Sequence, residues 1–258
     1  MRKWYLVVAV AALTFGLSGT TWALSYDANV TSNVIFGSGN GNGSWTVDSN
    51  GTVELGLRAK IPFSGVYSSN GDGTYSYPLG VAPQGRWNVE WSINTNVDGN
   101  GGNLNQYTYV LGFDSDPTQG TSYTGFWAFL DDPVNDPIAA NGYLDHSFGN
   151  NATAQSAGVE AGDAATYANY VSTYNLVQQS WRMDYYDAIP GFDVNPNVDG
   201  TYTYFLAAYD LAGNLVGRTE IDVIIGAGGA PVPEPATMTV LGLGLGGLAL
   251  SRLRKRFA

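Results

Sequence analysis

Short runs of tyrosine, valine, threonine and tryptophan, separated by Asn, Asp and Gly, fill the middle of the chain. Such runs with turn residues between them are typical of antiparallel β-structure. The clearest early unit has strand-like runs at 44–47 and 52–58 around a turn at 48–51. Because side chains alternate along a strand, the pattern divides this unit into two faces. Val53, Leu55 and Leu57 are expected on one face, and Glu54 and Arg58 on the other.

The same alternation continues through most of the central region. It predicts a strand over 87–93 and further strands over 106–113, 125–130 and 180–186. The last unit pairs 200–209 with 215–225 around a five-residue turn. In that turn we expect Asp210 and Asn214 to shape the backbone and Gly213 to permit it.

These runs together predict a mainly β fold, an antiparallel β-sandwich. The hairpin over 200–225 resembles the final hairpin of bacterial immunoglobulin-like modules, in which a strand ends in Asp-x-x-Gly-Asn before the closing strand. That resemblance implies an immunoglobulin-like sandwich, with a jelly-roll-like sandwich as the alternative.

One region departs from the β pattern. Between 163 and 178 the apolar positions follow a spacing of three, four and seven, and Asp163 is available as an N-cap. We therefore expect a single short helix there. Its apolar stripe is expected to pack against the core: Tyr167, Tyr170, Val171, Tyr174 and Val177.

The first 23 residues have the layout of a secretory signal peptide. Arg2 and Lys3 precede an apolar run over 4–17, and small residues lead to Ala23. The pattern predicts a helical signal peptide over 1–23 that is cleaved after Ala23. The chain would then be exported.

The C-terminus carries three elements in a fixed order. Pro233, Glu234 and Pro235 form an extended motif, because two prolines disfavour helix. The uncharged stretch 236–250 follows, and as a helix it would be about 22 Å long, a short transmembrane span. A basic end comes last: Arg252, Arg254, Lys255 and Arg256. Basic residues stay cytoplasmic, which leaves the preceding chain on the far side of the membrane.

This tail resembles the PEP-CTERM sorting signal of Gram-negative bacteria. The resemblance implies processing by an exosortase, a membrane-embedded transpeptidase-like enzyme, in bacteria that make exopolysaccharide and biofilm matrix. The segment 178–186, which begins Gln-Gln-Ser-Trp, also looks like one common in such exported proteins, although Gln179 stands where Asn is usual. The chain is therefore divided into a signal peptide (1–23), an extracytoplasmic domain (24–230) and a sorting tail (231–258).

The domain is strongly acidic. Residues 24–230 contain five basic and 21 acidic residues, a net charge of −16, which disfavours nucleic-acid binding. The chain has no cysteine, so disulfides, thiolate metal sites and thiol catalysis are excluded.

Candidate catalytic groups are sparse. His146 is the single histidine, which excludes a multi-histidine metal site, and we expect it in an exposed loop. A pair of carboxylates would suffice for glycoside hydrolysis, and five aspartates cluster along the chain. Three of them lie in or beside Asp-Pro steps that read as turns, so no enzyme is predicted. The five are Asp114, Asp116, Asp131, Asp132 and Asp136.

Two further chemistries stay open. Calcium fits the acidic loops 70–73 and 98–102, although turn formation alone explains both; no other cofactor is predicted. The chain also has 7 Trp, 17 Tyr and 10 Phe, and aromatic rings on a sandwich could face a sugar. We assign the strand tryptophans to packing instead: Trp87, Trp91, Trp127 and Trp181.

These observations predict an exported, noncatalytic cell-surface or extracellular-matrix protein. Before processing it would be tethered to the inner membrane on the periplasmic side. Its expected partners are the secretion machinery, an exosortase and exopolysaccharide. The alternative is a secreted carbohydrate-binding or carbohydrate-active protein.

Overall fold

Two β-sheets pack face to face in the computed structural model, which describes residues 24–65, 67–80, 87–127, 146–186 and 193–229. Eleven strands and one α-helix lie in these ranges. The strands are β1 (Ser25–Ala28), β2 (Trp45–Ser49), β3 (Glu54–Lys60), β4 (Thr74–Tyr77), β5 (Asn88–Asn94), β6 (Tyr107–Phe113), β7 (Gly125–Trp127), β8 (Ser147–Gly149), β9 (Leu176–Arg182), β10 (Gly200–Asp210) and β11 (Leu215–Ile225). The helix, α1, is Ala164–Thr173.

The first sheet has the strand order β1-β2-β3-β5-β9-β8, and the second has β4-β11-β10-β6-β7. Every pair is antiparallel except β4 with β11, which run parallel. The prediction of an antiparallel β-sandwich is confirmed, with this one parallel edge as an addition. Whether the sandwich is immunoglobulin-like stays a prediction.

The core lies between the inner faces of the two sheets. Leu55 and Leu57 of β3 and Trp91 of β5 contribute from the first sheet, and Tyr204 and Leu206 of β10 from the second; all five are fully buried. The alternation read from the sequence is thus confirmed, since every second side chain of these strands enters one apolar cluster.

The β10–β11 hairpin forms as predicted. Asp210 accepts hydrogen bonds from the backbone N–H groups of Ala212 (2.9 Å) and Asn214 (2.8 Å), and Asn214 Nδ2 donates to its other oxygen (2.9 Å). Gly213 has φ +84°, a conformation that glycine adopts without steric cost. Local turn chemistry therefore determines this register.

The helix is shorter than predicted. Asp163 caps it by accepting from Thr166 N at 2.8 Å, as expected. It ends at Thr173, however, and Leu176–Arg182 forms β9, which lies between β5 and β8 in the first sheet. The prediction of helix to 178 was wrong because pairing with β5 and β8 outweighs the local periodicity. Likewise Met183–Tyr186 is a 3-10 helix and not strand.

The signal peptide, the sorting motif and the 236–250 span lie outside the described residues, and the signal peptide and the span stay predictions. Among the helices that the structure describes, none has the length and apolar character needed to cross a membrane.

Candidate functional site

The outer face of the first sheet carries polar side chains in register. Lys60 of β3 is paired with Asn88 of β5, and Asn88 with Arg182 of β9. The next row is Arg58, Glu90 and Ser180, and the third is Gly56, Ser92 and Gln178. Since Leu55, Leu57 and Trp91 point inward, these rows lie on the opposite face of the same strands.

A segment after β1, residues 29–43, covers two of these rows and is called the covering segment below. Its Val30, Val34 and Phe36 pack with Trp45 and Val47 in a second apolar cluster, separate from the core. The alternation of side chains predicts that this outer face is polar. The covering segment therefore buries part of a polar face.

Gln178 fastens the covering segment to the sheet. Its Oε1 accepts from Ile35 N at 2.8 Å, and its Nε2 donates to Ser32 Oγ and Asn33 O, each at 3.1 Å, and to Ser92 Oγ at 3.0 Å. Gln178 is fully buried, so these bonds satisfy both ends of its amide.

A buried ion cluster lies beneath the covering segment. One carboxylate oxygen of Glu90 lies 2.6 Å from Arg58 Nε, and the other lies 2.6 Å from Lys60 Nζ. The Arg58 guanidinium lies 4.0 Å from the ring centre of Trp45 and 4.2 Å from that of Tyr67, and it also donates to backbone carbonyls of the covering segment. Two cations thus share one carboxylate; Arg58 and Glu90 are fully buried, and Lys60 lies at the edge of the cluster.

The remaining row lines an open groove of about 350 Å³. Lys60, Asn88 and Arg182 form its floor, with Gln179 and Ser180 beside them. One wall is the covering segment and the other is the turn at 62–63. A volume of this size is in the range of small-ligand sites.

Phe63 stands at the rim of this groove. It is 87% exposed and has φ +58°, an unusual conformation for a bulky residue. Burial in the core does not explain this ring, because most of its surface faces solvent. An exposed aromatic ring beside a polar floor is a surface on which a flat ligand can stack.

Among the described residues of the groove and the ion cluster, cations outnumber carboxylates. Arg58, Lys60 and Arg182 supply three cations, while Glu90 and Asp184 supply two carboxylates; Arg182 Nε lies 2.5 Å from Asp184 Oδ1. None of the described residues that line the groove carries a carboxylate. The arrangement can therefore bind a polar or anionic group, but its lining supplies no pair of acids for hydrolysis.

His146 is not the exposed loop residue that we expected. It is 1% exposed, and its ring lies 5.2 Å from the ring of Trp91 and 5.5 Å from that of Tyr167. The prediction was wrong because His146 immediately precedes β8, whose pairing with β9 draws it into the core. It contributes to an aromatic cluster away from solvent.

The aspartates form turns where the structure describes them. Asp114 is buried and accepts from the backbone N–H groups of Asp116 (3.0 Å) and Ser122 (2.7 Å); desolvation raises the pKa of its carboxyl. Asp116 accepts from Thr118 N at 2.9 Å. Asp131, Asp132 and Asp136 lie outside the described residues.

The two loops considered for calcium are also organised by their own hydrogen bonds. Asp72 accepts from Thr74 N at 3.0 Å and Thr74 Oγ1 at 2.7 Å, and Asp98 accepts from Asn100 N at 3.0 Å. In the described part of the chain, no group of three or more acidic, histidine or cysteine side chains could hold a metal ion.

Three of the four strand tryptophans pack as predicted: Trp87, Trp91 and Trp181 are buried in the core. The side chain of Trp127 lies outside the described residues.

Sequence reasoning missed the groove. Its floor comes from three separate strands, so only the register brings Lys60, Asn88 and Arg182 together. One local signal was present, since Phe63 is a large apolar residue within the turn-like sequence Pro-Phe-Ser-Gly.

The comparisons with known proteins bear on the tail. The PEP-CTERM protein-sorting motif matches residues 231–255, which contain the predicted sorting motif and part of the basic end. This match supports an exported protein that is anchored in the membrane as a precursor and processed by an exosortase. Neither the comparison with curated proteins nor that with solved structures gave a match.

Proposed function

We propose that this chain is a noncatalytic cell-surface or extracellular-matrix protein of a Gram-negative bacterium that associates with exopolysaccharide. The sorting motif at 231–255 carries the proposal, because it follows closely on a β-sandwich whose last strand ends at Ile225. The secretion machinery exports the chain, the tail holds it at the inner membrane, and exosortase processing passes it to the surface or the matrix.

The sandwich supports a binding role in preference to an enzymatic one. Asp114 and Asp116, the described members of the aspartate group, are engaged by backbone N–H groups, and His146 is buried among aromatic rings. The groove, in contrast, is open, polar and bordered by an exposed ring. The rival function is a carbohydrate-active enzyme.

One pair of assays separates the two functions. Protein recovered from the exporting cells is passed over immobilised exopolysaccharide of the same strain, and the soluble polysaccharide is monitored for new reducing ends. Retention without new reducing ends is the expected result. New reducing ends would establish the enzyme, and no retention would contradict the association.

We propose that the association needs no metal or other cofactor. Retention is therefore expected to be unchanged after treatment with a calcium chelator. Loss of retention on chelation, restored by added calcium, would show that the association depends on calcium. Calcium binding would then be assigned to the loops 70–73 and 98–102.

A further inference from the structure

We propose that the groove between the covering segment and Phe63 binds an acidic sugar residue, with its carboxylate at Lys60 and Arg182 and its ring on Phe63. This inference rests on the proposed association with exopolysaccharide and names the class of sugar. Charge, spacing and an exposed ring support it.

The charge distribution is uneven. Only five basic residues stand against 21 acidic ones in residues 24–230, and three of the five, Arg58, Lys60 and Arg182, lie at or directly beneath this groove. The net charge of the domain repels an anion, so a site where the described cations outnumber the described carboxylates favours contact with an acidic polymer.

The cation in the floor retains donor capacity. Lys60 Nζ is engaged by Glu90 Oε1 and by Asn40 Oδ1, and an ammonium has three N–H donors. Lys60 is 7% exposed and lines the groove together with its partner Asn40. The ammonium is thus positioned before a ligand arrives, which lowers the entropic cost of binding.

The spacing fits one sugar ring. Lys60 and Arg182 flank Asn88 on adjacent strands, and since neighbouring strands are about 4.8 Å apart, their backbones are separated by roughly 10 Å. Long side chains from both sides can reach a carboxylate held over Asn88. Arginine binds carboxylates through paired N–H donors, which gives the site directional preference.

Phe63 supplies the apolar contact. A pyranose ring has an apolar face of C–H groups, and an exposed aromatic ring beside hydrogen-bonding groups is suited to cover that face. The positive φ of Phe63 strains the backbone, and strain of this kind is typically retained where a side chain contacts a ligand.

The test uses protein recovered from the exporting cells and two matched probes, oligogalacturonates and the same oligosaccharides with their carboxyl groups reduced to alcohols. The wild type is expected to bind the acidic probe at least about tenfold more tightly, with the preference declining as salt rises. Equal binding of the two probes would overturn the inference.

Two groove variants and two remote controls locate the site. Arg182→Gln is expected to remove most of the preference for the acidic probe, and Phe63→Ala to weaken both probes. Arg218→Gln and Leu211→Ala, which remove a cation and an exposed apolar side chain elsewhere, are expected to bind as the wild type does. Circular dichroism verifies that each variant is folded. Groove variants that bind both probes as tightly as the wild type would overturn the assignment.

Retention on the strain's own exopolysaccharide, measured in parallel, separates this inference from the proposed function. Retention that survives both groove variants leaves the proposed function standing and overturns the groove assignment. A wild type that binds oligogalacturonates through the groove, yet is not retained on exopolysaccharide, supports the groove and contradicts the proposed association.

Discussion

Arg58 Nε lies 2.6 Å from Glu90 Oε2, and neither side chain is exposed to solvent. The second oxygen of Glu90 lies 2.6 Å from Lys60 Nζ. One carboxylate therefore compensates two cations on the outer face of the first sheet. A buried ion pair contributes little net stability when intact, but removal of one partner leaves an uncompensated charge in a site poor in water.

Glu90→Gln is expected to lower the free energy of unfolding by about 3–5 kcal/mol, because Arg58 and Lys60 then remain buried without their counter-charge. Urea unfolding followed by tryptophan fluorescence measures the loss. The matched control is Glu220→Gln, since the Arg218–Glu220 pair is about one-third exposed and should cost about 1 kcal/mol or less. Equal losses in the two variants would contradict the role assigned to Glu90.

Gln178→Ala is expected to cost about 2–4 kcal/mol, because it leaves buried groups of the covering segment and Ser92 without hydrogen-bond partners. Gln179→Ala, on the neighbouring partly exposed side chain, should change stability little. Hydrogen exchange gives a local test: the Ile35 amide, which donates to Gln178, should exchange faster in Gln178→Ala. Unchanged protection at Ile35 would show that the covering segment is held by other contacts.

Gly112→Ala tests packing on the outer face of the second sheet. A Cβ at Gly112 would overlap the ring of Phe205, and that ring is confined by Arg218 at 3.7 Å and by Tyr123 at 4.7 Å. Overpacking of this kind is expected to cost about 1–3 kcal/mol. Gly162→Ala is the control, because an added Cβ there meets nothing within 4 Å. A thermal midpoint unchanged in both variants would show that Phe205 can move aside.

The pH dependence of stability has two opposing parts. Burial raises the pKa of Glu54, so its contribution is fully present at low pH and is lost as pH rises through the raised value. Hydrogen bonds, chiefly from Asn214, lower the pKa of Asp210, so its contribution is lost as pH falls. The contributions of Glu54 and Asp210 are therefore expected to change in opposite directions as pH rises from acid toward neutrality.

Urea unfolding of two variants at a series of pH values tests the direction in which each carboxyl group changes stability with pH. The stability difference between the wild type and Glu54→Gln should shift in favour of the variant as pH rises toward neutrality. Asp210→Asn should show the opposite trend, with its largest deficit above the ordinary aspartate pKa. The same trend in both variants would contradict the assignment of burial to Glu54 and of turn hydrogen bonding to Asp210.

The parts of the fold that the sequence predicts are those determined by neighbours along the chain. The β10–β11 hairpin follows from Asp210, Gly213 and Asn214, which make the turn among themselves. The helix begins where Asp163 can cap it. Its end was not predictable in the same way, because strand β9 is stabilised by partners from distant parts of the chain.

The candidate site depends on contacts that no local pattern reveals. Alternation placed Arg58 and Glu54 on a second face of β3, and such a face is commonly solvated. Here residues 29–43 fold back over it, and Gln178, about 145 residues away in sequence, binds Asn33. Only the assembled sheet shows which polar side chains become buried and which row, that of Lys60, Asn88 and Arg182, remains open.

The intact mass of the protein recovered from the producing cells tests the central claim most directly, when it is measured with and without the exosortase. The account predicts a chain that begins at Leu24 in both strains and has lost part of its tail only where the exosortase is active. Replacement of Pro233, Glu234 and Pro235 by alanine should leave the tail in place. A chain found in the cytosol with Met1 and Ala258 both intact would contradict the account.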